Sequence, residues 1–118
     1  MNVFKSCVNG NLGPEDVIWD DKASVSVVIA SGGYPTEYNT GYEISGLDKI
    51  KDPVNVFHAG TQTNKAGSII TSGGRVVSVC ATGTNIYETS AVVYENIDKI
   101  HFKDKYIRRD IASQCSNM

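Results

Sequence analysis

Apolar and polar residues alternate in one segment and then give way to a continuous apolar run. Ala23–Ser31 has this pattern, which is typical of a buried strand. A glycine pair follows in Ser31-Gly32-Gly33-Tyr34-Pro35, and a second pair lies in Thr71-Ser72-Gly73-Gly74-Arg75. The second pair separates two runs rich in β-branched residues, which predict strands over 68–72 and 75–81.

The remaining pattern predicts helices at two places and further strands between them. Apolar residues recur at helical spacing in 1–9 and on one face of 84–99, where Thr84 or Asn85 could cap the helix. The other predicted elements are a strand over 55–59, a polar connection of hairpin length over 60–67, and a final hairpin of 100–102 with 106–108. The predicted fold class is α+β, with a mostly antiparallel sheet and one main helix at about 84–99.

Composition narrows the class of protein without identifying it. The chain has 118 residues, 41% of them hydrophobic and 20% charged, which fits a globular domain with one core. A formal net charge of −2 gives no general attraction to nucleic acid or anionic lipid, and no apolar run is long enough to span a membrane. Basic residues nevertheless cluster near the C-terminus, which favours a local anionic ligand: Lys99, Lys103, Lys105, Arg108 and Arg109.

Cysteine usage indicates neither a disulfide framework nor a zinc site. Cys7, Cys80 and Cys115 are odd in number, far apart, and form no Cys-x-x-Cys pattern. A reduced intracellular compartment is the simpler interpretation. Cys80, inside a predicted strand, is expected in the core.

Several motifs, read in order, resemble the C-terminal domain of phosphoribosylamine–glycine ligase, also called glycinamide ribonucleotide synthetase. They are 28–35 (VIASGGYP), 41–46 (GYEISG), 56–61 (VFHAGT), 71–79 (TSGGRVVSV), Ala81, Gly83, Tyr106 and 108–111 (RRDI). The resemblance implies an ATP-grasp ligase of purine biosynthesis. Such a ligase joins phosphoribosylamine to glycine: ATP phosphorylates the glycine carboxylate, and the amine attacks the acyl phosphate, with Mg or Mn assisting.

The resemblance also implies a division of the chain and a set of partners. Residues 1–22 would be the tail of the preceding ATP-grasp region and a linker, and 23–118 the ligase C-terminal domain. The family's ATP and metal residues lie upstream, so we expect no cofactor in this chain and no catalysis by it alone. The expected partners are the upstream ATP-grasp portion, docking near Val3, Phe4 and Trp19, and phosphoribosylamine or glycinamide ribonucleotide, in the cytoplasm.

Arginines are the first candidates for contacts to the substrate. Arg108 and Arg109 are expected to bind the sugar phosphate, by analogy with the basic pair near the C-terminus of related ATP-grasp enzymes. If strand alternation holds, only one of them faces the site. The alternative is a solvated strand end with salt bridges to Asp104 or Asp110. Arg75 is the next candidate, with a structural clamp as its alternative.

Glycines and a histidine complete the predicted site. Gly32, Gly33, Gly73 and Gly74 could present bare N–H groups to an anion and shape a substrate wall, or they could simply form turns. His58 could act as an acid, a base or a phosphate donor, or be a structural residue.

Two residues depart from the family pattern near the C-terminus. Ala112 stands where the family usually has glycine, and Gln114 where it has arginine. These departures put substrate binding in doubt. They therefore keep open a second function, that of a free-standing, non-enzymatic module that binds a sugar phosphate or a protein.

Overall fold

The predicted α+β class is confirmed. The computed structural model describes residues 2–113; Met1, Gln114 and Cys115, to which predictions above extend, lie outside this range. The helices and strands follow the chain as α1 (Asn2–Asn9), β1 (Ala23–Ser31), β2 (Asn55–His58), β3 (Thr61–Thr63), β4 (Ile69–Thr71), β5 (Arg75–Gly83), α2 (Ile86–Ile97) and β6 (Lys105–Tyr106), with 3-10 turns at Pro14–Asp16 and Leu47–Lys49.

A four-stranded antiparallel sheet, in the order β2-β5-β1-β6, positions everything that follows. Helix α2 packs on one face of its two central strands, β1 and β5. This helix-covered face carries the core, which includes Val25, Val27, Ile29, Val77, Val79, Ala81, Val93, Ile97 and Ile100. The other face of the sheet, called the open face below, has no helix against it among residues 2–113.

Both ends of α2 are held by side chains. Asn85 is the N-cap, because its side chain accepts a hydrogen bond from the backbone N–H of Glu88 at 2.9 Å. At the other end, Lys105 Nζ donates to the carbonyls of Ile97 and Ile100 at 3.0 and 2.7 Å. Burial lowers the pKa of Lys105, while Asp98 opposes that shift. The predicted helix is therefore confirmed, with a shorter extent.

The predicted polar connection over 60–67 is wrong in one respect. Thr61–Thr63, predicted as part of a connection, forms strand β3 and pairs with β4 in a separate two-stranded sheet. The turn between them is stabilised by Asn64 Oδ1, which accepts from the N–H groups of Ala66 and Ser68, both at 2.9 Å. A polar Thr-Gln-Thr run has no apolar alternation, so this strand left no signal in the hydropathy pattern.

The predicted final hairpin is also wrong. β6 pairs with β1, and His101 forms an isolated bridge with Ser45, so the two arms find different partners. Ile100 is fully buried in the core. Its burial draws the first arm toward α2 and away from the second arm.

The N-terminal segment stands largely outside the core. Helix α1 has no buried residue, Phe4 is 76% exposed and Trp19 is 87% exposed, so apolar side chains are exposed where docking was predicted. Within the described part of the chain, neither helix has the length and apolar character needed to cross a membrane.

Candidate functional site

A β-bulge decides which way Arg75 points. Along β1 and β5 the pairing runs regularly to Ile29 and Val77, and then shifts so that Ala30 lies opposite Arg75. Val76 is the extra residue, and both Val76 and Val77 are buried. Bulges of this kind re-aim the side chains that precede them. Simple alternation would place Arg75 on the helix-covered face, whereas the bulge places it on the open face.

Two adjoining cavities form a groove on the open face, and Val28, Tyr34 and Arg75 line both of them. The first, the tyrosine cavity, has a volume of about 620 Å³ and is also lined by Tyr38, Ala59, Gly60, Gly74, Val77 and Ser78. The second, the arginine cavity, has a volume of about 260 Å³ and is also lined by Ser26, Ala30, Tyr106, Arg108 and Ile111. No Asp or Glu of the described chain lines either cavity, so the groove favours an anionic ligand.

Arg75 is the uncommitted cation of this groove. Its side chain is exposed, and within residues 2–113 no hydrogen bond or ion pair engages its guanidinium. An arginine that already has a carboxylate partner must give it up before it can bind a ligand, and Arg75 has none to give up. The structure therefore favours Arg75 over the two arginines that the sequence placed first.

The structure separates Arg108 from Arg109. Arg108 lines the arginine cavity and donates two hydrogen bonds to Asp110, from Nε at 3.0 Å and from Nη2 at 2.6 Å. These bonds raise the pKa of Arg108 and lower the pKa of Asp110. Arg109 instead pairs with Asp98 at the end of α2 and lies over the ring of Tyr94, away from the groove.

Two serines on the open face were missed by the sequence analysis. Ser26 lines the arginine cavity and Ser78 lines the tyrosine cavity, and their Oγ atoms are 2.7 Å apart. Cys80 donates to Ser26 Oγ at 2.9 Å, so Cys80 lies on the open face and not in the core as predicted. The only sequence signal was spacing: Ser26 and Val28, like Ser78 and Cys80, are two residues apart in a strand. Side chains at that spacing lie on the same face of a sheet.

The two glycine-rich stretches contact each other directly. Ser31 donates from N to the carbonyl of Gly74 at 2.8 Å and from Oγ to the carbonyl of Gly73 at 2.9 Å. Gly32 donates its N–H to the carbonyl of Asp104 at 2.6 Å, so that group is engaged within the chain. Tyr34, Gly74 and Arg75 are the residues of the two stretches that line the groove and form its end wall, whereas Gly32, Gly33 and Gly73 line neither cavity.

Close approach explains why these positions are glycine. A Cβ on Gly74 would lie 2.1 Å from the ring of Tyr34, and a Cβ on Gly60 would lie 2.7 Å from the Cα of Gly73. Gly33 adopts φ +95°, which L side chains rarely adopt. These glycines therefore have packing roles, and the prediction that they also contact substrate stays a prediction.

His58 is not brought to the groove. It pairs with Val77 at the edge of the sheet, lines neither cavity, and its Nδ1 lies 3.0 Å from Thr61 Oγ1. Its neighbour Phe57 faces Ser78 across the strands and is 59% exposed on the open face.

Ala112 occupies a backbone conformation that suits glycine. Its φ is +66°, which lies in the left-handed region that L side chains rarely adopt. Positive φ costs an L residue about 1–2 kcal/mol, whereas glycine loses more entropy on folding. We therefore expect Ala112→Gly to stabilise the chain by about 0.5–1 kcal/mol in urea unfolding.

A matched control for that measurement is Ala91→Gly in the exposed interior of α2. Helical φ is already negative there, so this change should destabilise by about 0.5–1 kcal/mol. Destabilisation by Ala112→Gly of the same size would show that Ala112 is not strained.

Comparisons by sequence and by structure both match this chain to phosphoribosylamine–glycine ligases. The family model described as phosphoribosylglycinamide synthetase, C domain, matches residues 24–114. The chain is 42% identical over 113 residues to a phosphoribosylamine–glycine ligase of Caldanaerobacter subterraneus, covering 96% of this chain and 27% of that protein. It is 38% identical over 116 residues to a bifunctional purine biosynthetic protein of Schizosaccharomyces pombe, covering 98% of this chain and 14% of that protein.

A solved structure has the same fold. The crystal structure of a phosphoribosylamine–glycine ligase from Thermotoga maritima superimposes with a TM-score of 0.78 and 32% sequence identity. The match covers 93% of this chain and 26% of that one. The chain thus spans about a quarter of the length of the bacterial ligases that it matches.

Proposed function

We propose, on the premise that this chain belongs to the phosphoribosylglycinamide synthetase C-domain family, that it serves as the C-terminal domain of a phosphoribosylamine–glycine ligase. In this proposal the chain takes part in purine biosynthesis together with the rest of the ligase. The observation that carries it is the uncommitted Arg75 in a groove without acidic residues, next to Arg108. Such a groove suits the phosphate of phosphoribosylamine or glycinamide ribonucleotide.

The proposed roles follow from donor chemistry. Arg75 binds the sugar phosphate through its guanidinium fork, and Arg108 adds a second fork when Asp110 releases it. The hydroxyls of Ser26 and Ser78 lie on the floor of the groove and can donate to phosphate or ribose oxygens. Together they would orient the substrate amine toward an activated glycine held by the rest of the ligase.

ATP and its metal are assigned to the upstream portion. ATP activates the glycine carboxylate as an acyl phosphate, and the substrate amine displaces phosphate from it. Within residues 2–113 no three side chains of His, Cys, Asp or Glu gather as a metal site. We assign substrate binding to this chain, and its expected cytoplasmic location stays a prediction.

The N-terminal segment is proposed to dock on the ATP-grasp portion. Residues 1–22 are assigned to the tail of that portion and a linker, and 23–118 to the C-terminal domain. Phe4, Ile18 and Trp19 are each at least three-quarters exposed here, which suits side chains that become covered in the complete ligase.

Reconstitution tests the proposal. The relative from C. subterraneus, shortened by the quarter that this chain matches, is mixed with the 118-residue chain. We expect ADP release that depends on both glycine and phosphoribosylamine, and that neither polypeptide produces alone. Trp19→Ser should weaken the complementation, whereas the exposed-residue control Tyr87→Ser should not. No activity from two folded polypeptides that bind each other would overturn the proposal.

A binding module without catalysis is the second candidate. The observation that favours it is that Arg75, Arg108, Ser26 and Ser78 all belong to this chain, so the groove needs no other polypeptide. Tight binding of glycinamide ribonucleotide, combined with failed reconstitution, would select this alternative.

A further inference from the structure

The tyrosine cavity contains an aromatic corner that binding of a sugar phosphate does not use. The ring of Tyr34 lies against Gly74, so close that a Cβ there would meet it at 2.1 Å, and this contact fixes its position. The ring of Tyr38 meets it edge-on, with centroids 6.0 Å apart and an angle of 61°. Both rings are partly exposed, at 38% and 40%.

This corner lies beside the uncommitted arginine. Arg75 lines the same cavity as both tyrosines, together with Ser78 and the small residues Ala59 and Gly60. Within residues 2–113 neither phenolic hydroxyl has a hydrogen-bond partner, so both remain available to a ligand. The cavity, at about 620 Å³, falls within the usual range of small-molecule sites.

We propose that the tyrosine cavity binds a nucleoside monophosphate, with the base on the Tyr34–Tyr38 corner and the phosphate on Arg75. A sugar phosphate has no flat apolar face, so it leaves the two rings unused. A planar base can stack on one ring and meet the edge of the other, and each phenol can donate to a ring nitrogen or carbonyl. This ligand shares Arg75 with the proposed substrate, so the two would compete.

A series of three probes tests the proposal on the 118-residue chain. Calorimetric titrations with inorganic phosphate, ribose 5-phosphate and adenosine 5′-monophosphate add the sugar and then the base. We expect adenosine 5′-monophosphate to bind at least about fivefold more tightly than ribose 5-phosphate, since stacking on an aromatic side chain contributes that much or more. Arg75→Ala should weaken both.

Variants at Tyr38 test whether the aromatic corner causes the preference for adenosine 5′-monophosphate over ribose 5-phosphate. Tyr38→Leu should bring adenosine 5′-monophosphate down to the affinity of ribose 5-phosphate and leave the latter unchanged, while Tyr38→Phe should keep at least half of the preference. Tyr87→Leu, on the exposed surface of α2, is the matched control and should change nothing.

The outcomes separate this inference from the proposed function. Equal affinities for ribose 5-phosphate and adenosine 5′-monophosphate would overturn the nucleotide site and leave the ligase assignment standing. A preference that persists in Tyr38→Leu, or no binding of any probe, would also overturn it. Failed reconstitution with a Tyr38-dependent preference would overturn the ligase assignment alone.

Discussion

Replacing Arg75 with alanine is expected to weaken binding of glycinamide ribonucleotide to the chain by about 10- to 100-fold. A hydrogen bond between charged groups contributes roughly 1.5–3 kcal/mol, which corresponds to that range in the dissociation constant. Arg75 should show nearly the full effect, because its guanidinium gives up no internal partner on binding. Isothermal titration calorimetry with wild-type and variant chains measures the change.

The other arginines supply the controls for this measurement. Arg108→Ala should have a smaller effect, because Arg108 must first break two hydrogen bonds to Asp110. Arg109→Ala should leave affinity unchanged, since that side chain pairs with Asp98 away from the groove. Arg75→Lys keeps the charge without the fork and should recover only part of the binding. An equal loss in Arg75→Ala and Arg109→Ala would contradict the assignment.

The direction of Arg75 could not be predicted from the sequence. Val77, Val79 and Ala81 alternate regularly, and extending that alternation back places position 75 on the core face. Only the shift opposite Ala30 reverses this, and a bulge depends on pairing with a strand more than forty residues away. The sequence therefore identified Arg75 as a candidate, but the face of the sheet on which it lies could be learned only from the tertiary structure.

Elements with strong apolar patterning were predicted well, and polar ones were not. β1 was predicted at its observed bounds, and α2 within two residues, because each has a face that must be buried. β3, with its exposed Gln62 and Thr63, carries no such face. From the sequence, the glycine pairs could form a substrate wall or simply turns, and only the fold shows that the two stretches contact each other.

The turn at Gly33, which precedes Tyr34 in the chain, should be intolerant of a single methyl group. Gly33→Ala is expected to destabilise the chain by about 2–5 kcal/mol, combining backbone strain with a steric overlap. The strain arises because φ is +95°, and the overlap because the added Cβ would lie 2.0 Å from the carbonyl oxygen of Glu37. The turn that this change disrupts, in which Thr36 donates twice to Gly33, also carries Tyr34 into the groove.

Gly67→Ala separates the two causes. Gly67 has a similar φ of +86°, but a Cβ there would meet nothing within 4 Å, so the same balance of strain and entropy as at Ala112 should leave a cost of only about 0.5–1 kcal/mol. Urea unfolding of both variants measures the difference, and ligand titration should show lost binding only in Gly33→Ala. Because φ is matched, the excess cost at Gly33 reports the closeness of the backbone behind Tyr34. Equal costs at the two positions would mean that this turn relaxes freely, and that the wall does not hold Tyr34 in place.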